Sequence, residues 1–212
     1  ERQMKVKLLD STRLSNVVIG ARTCWDSFHK GGGYNKPTND IDDEDYKLID
    51  RLINKHKHES VSEHLVFVFD VKGISRACLQ EMARHRIQSL SVRSSRYTLK
   101  QLKDERPFVI NEEENAIDRA KEYLVYTDNI MVNNASIMAL ENLRKCVKEG
   151  FSNDVTKYCM PESFRTNLVS TFNFRSFKNF YGLRNSKDAL WEIRELAKAM
   201  YDVLPEEVKR LI

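Results

Sequence analysis

The stretch Arg84–Thr98 reads RHRIQSLSVRSSRYT. Four arginines, four serines, a histidine and a threonine fall within fifteen residues, and Met82–Lys103 contains no Asp or Glu. A guanidinium offers five donors in a planar fork that matches phosphate or carboxylate, and hydroxyls with loop N–H groups complete such sites. Ser94, Ser95 and Arg96 make a compact hydroxyl-plus-guanidinium unit suited to a phosphate monoester. Arg84 and Arg86 are two residues apart, so on a helix they point in different directions and would serve two anions. A solvated basic loop is the competing reading. The missing carboxylates count against it, because surface arginines usually have acidic neighbours.

A second constellation is NFRSFKNFYGLRNS, where Asn173, Arg175, Asn179 and Arg184 alternate with Phe172, Phe174, Phe177, Phe180 and Tyr181. Amides and guanidinium groups among aromatics suit a planar heterocycle, which stacks on rings and needs edge hydrogen bonds. A helix with an aromatic core face and a polar outer face is the reading this segment favours when taken alone. A third is HESVSEH, His58–His64. Its histidines do not share a helical face and lack the HExxH spacing, so no metal site is expected; a loop entering a strand, capped by Glu63, fits it. GxSxG, Walker A and GxGxxG are absent. Cys24, Cys78, Cys146 and Cys159 are far apart in sequence and read as reduced packing residues.

The elements that must hold these groups follow from periodicity. Residues 4–9 and 65–72 read as strands, as does 164–174. Helices are expected over 14–28, 42–56, 74–86, 176–183 and 187–203, with a short last one opened by Pro205. Thr38, Asn39 or Asp40 would cap the second of these. Helix 74–86 puts Arg84–Arg86 at its C-terminus and leaves the serine-rich part as a loop or short extended segment. Residues 113–149 read as one long helix with a break near Asn133-Asn134 and a stop at Gly150, and GGG at 31–33 as a loop. Clean βαβ alternation is missing, so the fold class expected is α/β of the α+β type, on a twisted, mostly antiparallel sheet flanked by helices.

The 212 residues carry 35 Lys+Arg against 31 Asp+Glu, a net charge of +4. That is mild for a polyanion binder, and the local basicity favours a small anionic ligand. No apolar run is long enough to span a bilayer and no secretory pattern opens the chain, so a cytoplasmic location is expected. Met4 reads as the natural start, with Glu1–Gln3 a cloning remnant. Residues 1–212 are expected to form a single domain.

Arg84-His85-Arg86, seven residues, then Ser94 resembles the R-H-R-x7-S signature of the flavin-dependent thymidylate synthases, the ThyX family. Arg96-Tyr97 follows as in that family. HESVSEHLVFVF, ARTCW at 21–25 and NFRSFKNFYGLR at 173–184 resemble further family segments in order and spacing, over roughly residues 15–200. The resemblance implies methylation of dUMP to dTMP, with methylenetetrahydrofolate as carbon donor, FAD as hydride carrier and NADPH as reductant. It also implies a homotetramer with shared active sites, an α/β fold, and neither nucleic acid nor membrane as partner. Ser60, Arg84, His85, Arg86, Asn173, Arg175 and Asn179 fall at its FAD contacts. Glu81, Arg84, Ser94, Ser95, Arg96, Lys157 and Arg184 fall at its dUMP contacts, with Arg184 acting catalytically on the uracil ring. His58 and Tyr97 fall where the family gates the folate and flavin side. Three departures matter: Ser91-Val92 stands where many members carry Asn-Glu, Glu81 where some have Gln, and Lys157 where an arginine often binds phosphate with a fork that lysine cannot reproduce. Ser94 lacks an adjacent general base in sequence, so phosphate positioning suits it better than nucleophilic attack.

Two other classes remain open on the residues alone. One is a nucleic-acid module using arginines and aromatics, which predicts salt-dependent oligonucleotide binding and no chromophore. The other is a flavin or nucleotide binder without activity.

Overall fold

The structure is a computed structural model, and it describes residues 4–30, 41–110 and 115–212, apart from the side chains of Tyr97 and Thr98. In chain order the elements begin β1 (Lys5–Ser11), α1 (Ser15–Cys24), α2 (Asp43–Asp50), β2 (Val66–Ser75), α3 (Arg76–Ala83), β3 (Ser89–Val92) and α4 (Ser95–Leu102). They continue α5 (Ala116–Ala120), α6 (Ile130–Lys148), α7 (Asn153–Thr156), β4 (Arg165–Asn173), α8 (Phe174–Arg184), α9 (Trp191–Asp202) and α10 (Glu206–Lys209). The four strands form one sheet in the order β1-β2-β4-β3. Pairing is antiparallel: Phe174 N–H donates to Leu65 O at one end of the β2–β4 ladder and Arg76 N–H to Phe164 O at the other. The fold is therefore of the α+β type expected. Two compact units divide the chain: unit 1 is Glu1–Met4, Lys72–Ala83 and Ser91–Leu168, and unit 2 is Lys5–Val71, Arg84–Leu90 and Val169–Ile212.

In unit 2, β2 alternates with Phe67, Phe69 and Val71 fully buried. Helix α8 sends Phe174, Phe177 and Phe180 into the same core, with Phe177 stacked on Phe69 at 5.6 Å. Helix α9 adds Ile193, Leu196, Ala197 and Met200, a three-and-four spacing that makes one apolar stripe. Helix α2 is capped by Asp42, whose carboxylate accepts from Asp45 N–H at 2.9 Å, and Asp43, Glu44 and Asp45 crowd its first turn. The three cap residues expected from sequence lie outside the described residues, as does the glycine run at 31–33. The helix continues as a wider turn, Arg51–Lys55, so the expected span 42–56 holds. Arg22 on α1 and Asp45 on α2 form a buried ion pair at 2.9 Å.

Unit 1 packs α4, α5 and α6 around Leu99, Leu102, Ala120, Leu124, Ile137, Leu140 and Leu143. The long helix expected over 113–149 is broken between Ala120 and Ile130, not at Asn133. Leu124 pairs with Phe164 as an antiparallel bridge, and Val125 N–H donates to Ser163 O, which takes that backbone out of helical pairing. Asn133 is no breaker: its Oδ1 accepts from Thr127 N–H at 2.8 Å, tying the approach segment to the first turns of α6. Asn129 caps α6 by accepting from Met131 and Val132 N–H. Gly150 ends the helix at φ 84°, with its N–H on Val147 O and Phe151 N–H on Cys146 O, the pairing that a left-handed glycine permits.

Candidate functional site

Helix α8 has two faces. Its aromatic face is the core already described, so Phe174, Phe177 and Phe180, with Phe172 near the end of β4, are buried packing residues and not a stacking platform for a heterocycle. Its other face carries Arg175, Ser176, Asn179 and Leu183, and these line a cavity of about 1050 Å³ in unit 2. The cap that starts this helix is Asn173, whose Oδ1 accepts from Ser176 N–H at 2.8 Å. The rest of the cavity wall comes from the turn after α3. That helix ends at Ala83, one residue before the basic motif. Arg84 and Arg86 therefore lie on a turn, and both line the cavity with His85 between them. Their expected divergence assumed helical geometry that stops too early.

Arg184, at the last turn of α8, donates from Nε to His85 Nε2 at 2.9 Å. The His85 ring sits edge-on to Phe180 at 4.9 Å, so a buried aromatic sets its angle. Because Nε2 accepts, a neutral His85 carries its proton on Nδ1. Arg175 is held by Glu63 at 2.8 Å and Glu59 at 3.6 Å, and its hydrogen bond to Glu63 raises its pKa further. Glu63 thus belongs to a short 3-10 turn, Glu59–His64, and pairs with an arginine instead of capping a strand. Lys178 also lines the cavity, with its ammonium on Asn54 Oδ1 and Leu211 O; burial pushes its pKa down. The lining thus holds Arg84, Arg86, Arg175, Arg184 and Lys178 against Glu59, Glu63 and Asp188. The cations outnumber the acids, which suits a phosphorylated ligand with room for more than its phosphates.

The serine-rich segment, expected as a loop or a short extended segment, is extended over β3 and belongs to unit 1 from Ser91 onward. Strand β3 runs straight into helix α4 through the turn Arg93–Ser94. Ser94 is the N-cap, its hydroxyl oxygen accepting from Arg96 N–H at 3.3 Å. Ser95 and Arg96 open the helix, where first-turn N–H groups that have no helical carbonyl to meet and the helix dipole favour an anion. Arg96 is not free of acids in space. Its Nη2 lies 3.4 Å from Asp154 Oδ1, and Lys157 Nζ lies 3.9 Å from the same atom. Asp154 is 58 residues from Arg96 in sequence, which is why a local scan for acids misses it. Arg96, Lys157 and Asp154 form an exposed cluster, two cations sharing one carboxylate.

The remaining expected residues are dispersed. Ser60 and His58 are exposed on or beside the Glu59–His64 turn of unit 2 and do not line its cavity, although the His58 ring stands 6.5 Å from Trp25. Glu81 is half-buried on α3 of unit 1. The Tyr97 side chain lies outside the described part. Cys78 is buried as expected of a packing residue, Cys146 is half-buried, and Cys24 and Cys159 are exposed, so packing does not account for those two. Among the described residues no group of three or more His, Cys, Asp or Glu could hold a metal, and no described helix is long and apolar enough to cross a membrane. Asp154, Glu59, Lys178 and Asp188 are charged residues at these sites that sequence reasoning did not name, and Glu63 was given a cap's role in place of its pairing with Arg175.

Known proteins resemble the chain throughout. The family model described as thymidylate synthase complementing protein matches residues 7–208. A flavin-dependent thymidylate synthase of Wolinella succinogenes is 53% identical over 210 residues, 98% of this chain and 97% of the relative. One from Helicobacter pylori is 49% identical over 205 residues, 96% of this chain and 95% of the relative. The crystal structure of thymidylate synthase X from Helicobacter pylori with FAD and dUMP aligns with a TM-score of 0.88 at 44% identity, covering 98% of this chain and 96% of that one.

Proposed function

Because the chain belongs to the thymidylate synthase complementing protein family, the flavin-dependent thymidylate synthases, we propose that it methylates dUMP to dTMP with methylenetetrahydrofolate as carbon donor, using FAD and NADPH. The observation that carries this for the chain's own residues is the shared lining: Arg84, His85, Arg86, Arg175, Asn179 and Arg184 meet at one cavity of about 1050 Å³. A flavin dinucleotide fits that lining chemically, since Arg84, Arg86 and Arg175 can oppose a diphosphate and Asn179 offers amide donors and acceptors to a ring edge. When bound, FAD supplies the hydride that completes the methyl group, and NADPH restores its reduced form.

Arg184 acts on the substrate. A fixed guanidinium at the uracil edge favours ionisation at N3 and stabilises negative charge on the ring as C6 is reduced. His85 holds the guanidinium through its Nε. In unit 1, Ser94, Ser95, Arg96 and Lys157 take the nucleotide phosphate at the start of α4, with Glu81 as a further contact. Ser94 binds and positions; its oxygen is already the helix cap, and among the described residues no carboxylate or imidazole is hydrogen-bonded to it. Ser60 and Asn173 complete the flavin contacts, and His58 and Tyr97 gate the folate side. The enzyme works as a cytoplasmic homotetramer with shared sites, each chain acting as a single catalytic domain.

Purified protein should be yellow or become so with FAD. It should then convert dUMP to dTMP only when methylenetetrahydrofolate and NADPH are both present. A colourless protein that binds oligonucleotides in a steeply salt-dependent way would favour the nucleic-acid module instead.

A further inference from the structure

The end of α6 folds the chain back on itself. Gly150, at φ 84°, stops the helix, and α7 and the turn Lys157–Cys159 then pack against α6. Val147 of α6 and Met160, just past the turn, share one apolar cluster. Each has a cysteine as its neighbour in the chain. Cys146 is half-buried on α6 and Cys159 is exposed on the turn, both as reduced thiols. The two thiols meet: burial pushes the Cys146 pKa up, and so does the Cys159 thiol, by its charge and by a side-chain hydrogen bond. All of this lies within unit 1. A solvent-open thiol beside a second thiol is the arrangement that forms a reversible disulfide, and packing alone does not call for it. The same turn opens with Lys157, whose Nζ lies 3.9 Å from Asp154 Oδ1.

We propose that Cys146 and Cys159 are a redox pair that a low-molecular-weight disulfide closes, and that closure shifts the Lys157–Cys159 turn and loosens the hold of Lys157 on the nucleotide phosphate. The second clause rests on the nucleotide reading; the pairing of the thiols stands without it. Cys159 is the exposed thiol and meets the oxidant, RSSR, first. As thiolate it attacks one sulfur, the S–S bond breaks, and RS⁻ leaves and takes up the proton that Cys159 gave. The Cys146 thiolate then attacks the Cys159 sulfur. The protein S–S bond forms, and the second RS⁻ leaves with the Cys146 proton. Two protein thiols are oxidised and one RSSR is reduced to two RSH. A disulfide bond of about 2 Å is shorter than any thiol–thiol contact, so the sulfurs must approach. Cys146 sits in a helix of 19 residues and Cys159 ends a turn of 3, so the turn is the part that moves, and Lys157 moves with it.

The test incubates flavin-loaded, reduced protein in mixtures of oxidised and reduced glutathione, quenches it with an alkylating agent and digests it without reduction. Mass spectrometry should find the Cys146 and Cys159 peptides joined, with two hydrogen atoms lost, and dithiothreitol should separate them. The joined form should show a KM for dUMP raised by up to about fivefold, the worth of one exposed charge contact. Its kcat should hold, and reduction should restore the KM. Cys159→Ser should abolish both the link and the response to glutathione, while its own KM stays within about twofold of the reduced protein's. Cys146→Ser should act alike; Cys159→Ser carries the test if that variant melts early, since Cys159 is exposed. Cys159 found only as a glutathione adduct, a joined form whose KM for dUMP is unchanged, or a KM that rises equally in Cys159→Ser would overturn the proposal. Protein that forms the link reversibly and ignores dUMP in both states would reject the nucleotide reading and keep the redox pair.

Discussion

Asp154→Asn isolates an acid that the basic segment meets in unit 1. Arg96 Nη2 and Lys157 Nζ both point at Asp154 Oδ1, at 3.4 and 3.9 Å. A substrate phosphate taken by those cations must compete with that carboxylate. The side chains of Arg96 and Asp154 are 67% and 65% exposed, so the pair sits in high dielectric and contributes at most about 1 kcal/mol. One kcal/mol is about a factor of five in a binding constant. The amide variant should therefore tighten dUMP by up to about fivefold, with the gain shrinking at high salt. Turnover at saturating dUMP should stay unchanged, because nothing at the uracil ring is altered. Steady-state kinetics at low and high ionic strength, with a melt to confirm that α7 survives, make the measurement. Weaker dUMP binding in Asp154→Asn would refute the reasoning, since the carboxylate would then be orienting the cations and not competing for them.

Other expected outcomes are simpler to read. Arg184→Gln should lower kcat by about 10²–10³, the range for removing one donor aimed at developing charge, with the fold intact; single-turnover dTMP formation checks it. Arg175→Ala should weaken flavin retention about tenfold or more, seen as loss of bound absorbance on gel filtration, while nucleotide affinity holds. Glu141→Gln should destabilise unit 1 by about 3 kcal/mol, read by denaturant unfolding. Glu141 accepts from Arg144 Nε and Nη2, each at 2.8 Å, and from Phe108 N–H at 2.9 Å. Hydrogen bonding from Arg144 holds its carboxyl below the ordinary range against the opposing effect of burial. The stability it contributes is therefore complete above the unfolded pKa and lost as pH falls through the lower folded value. The acid side of the wild-type stability profile should flatten in the variant.

Much of this architecture was legible in the sequence because it rests on short-range signals. The alternation in LVFVFDVK and FRTNLVSTFNF marks β2 and β4, and the three-and-four spacing of Ile193, Leu196, Ala197 and Met200 marks α9. Helix α4 escaped notice because polar residues dominate SSRYTLKQLK and, among its described side chains, only Leu99 and Leu102 are buried. The break in the 113–149 pattern was misplaced because its cause is a bridge to Phe164, forty residues away in the pairing Leu124–Phe164. The basic motif itself was read correctly as a cluster and wrongly as unpaired, since its acid comes from α7.

Release of tritium from dUMP labelled at C5 tests the central claim most directly, because methylation must break that C–H bond. Flavin-loaded protein given methylenetetrahydrofolate and NADPH should release tritium in step with dTMP, and omitting any one component should stop both. Flavin-loaded, folded protein that binds dUMP and releases no tritium under those conditions would contradict the account.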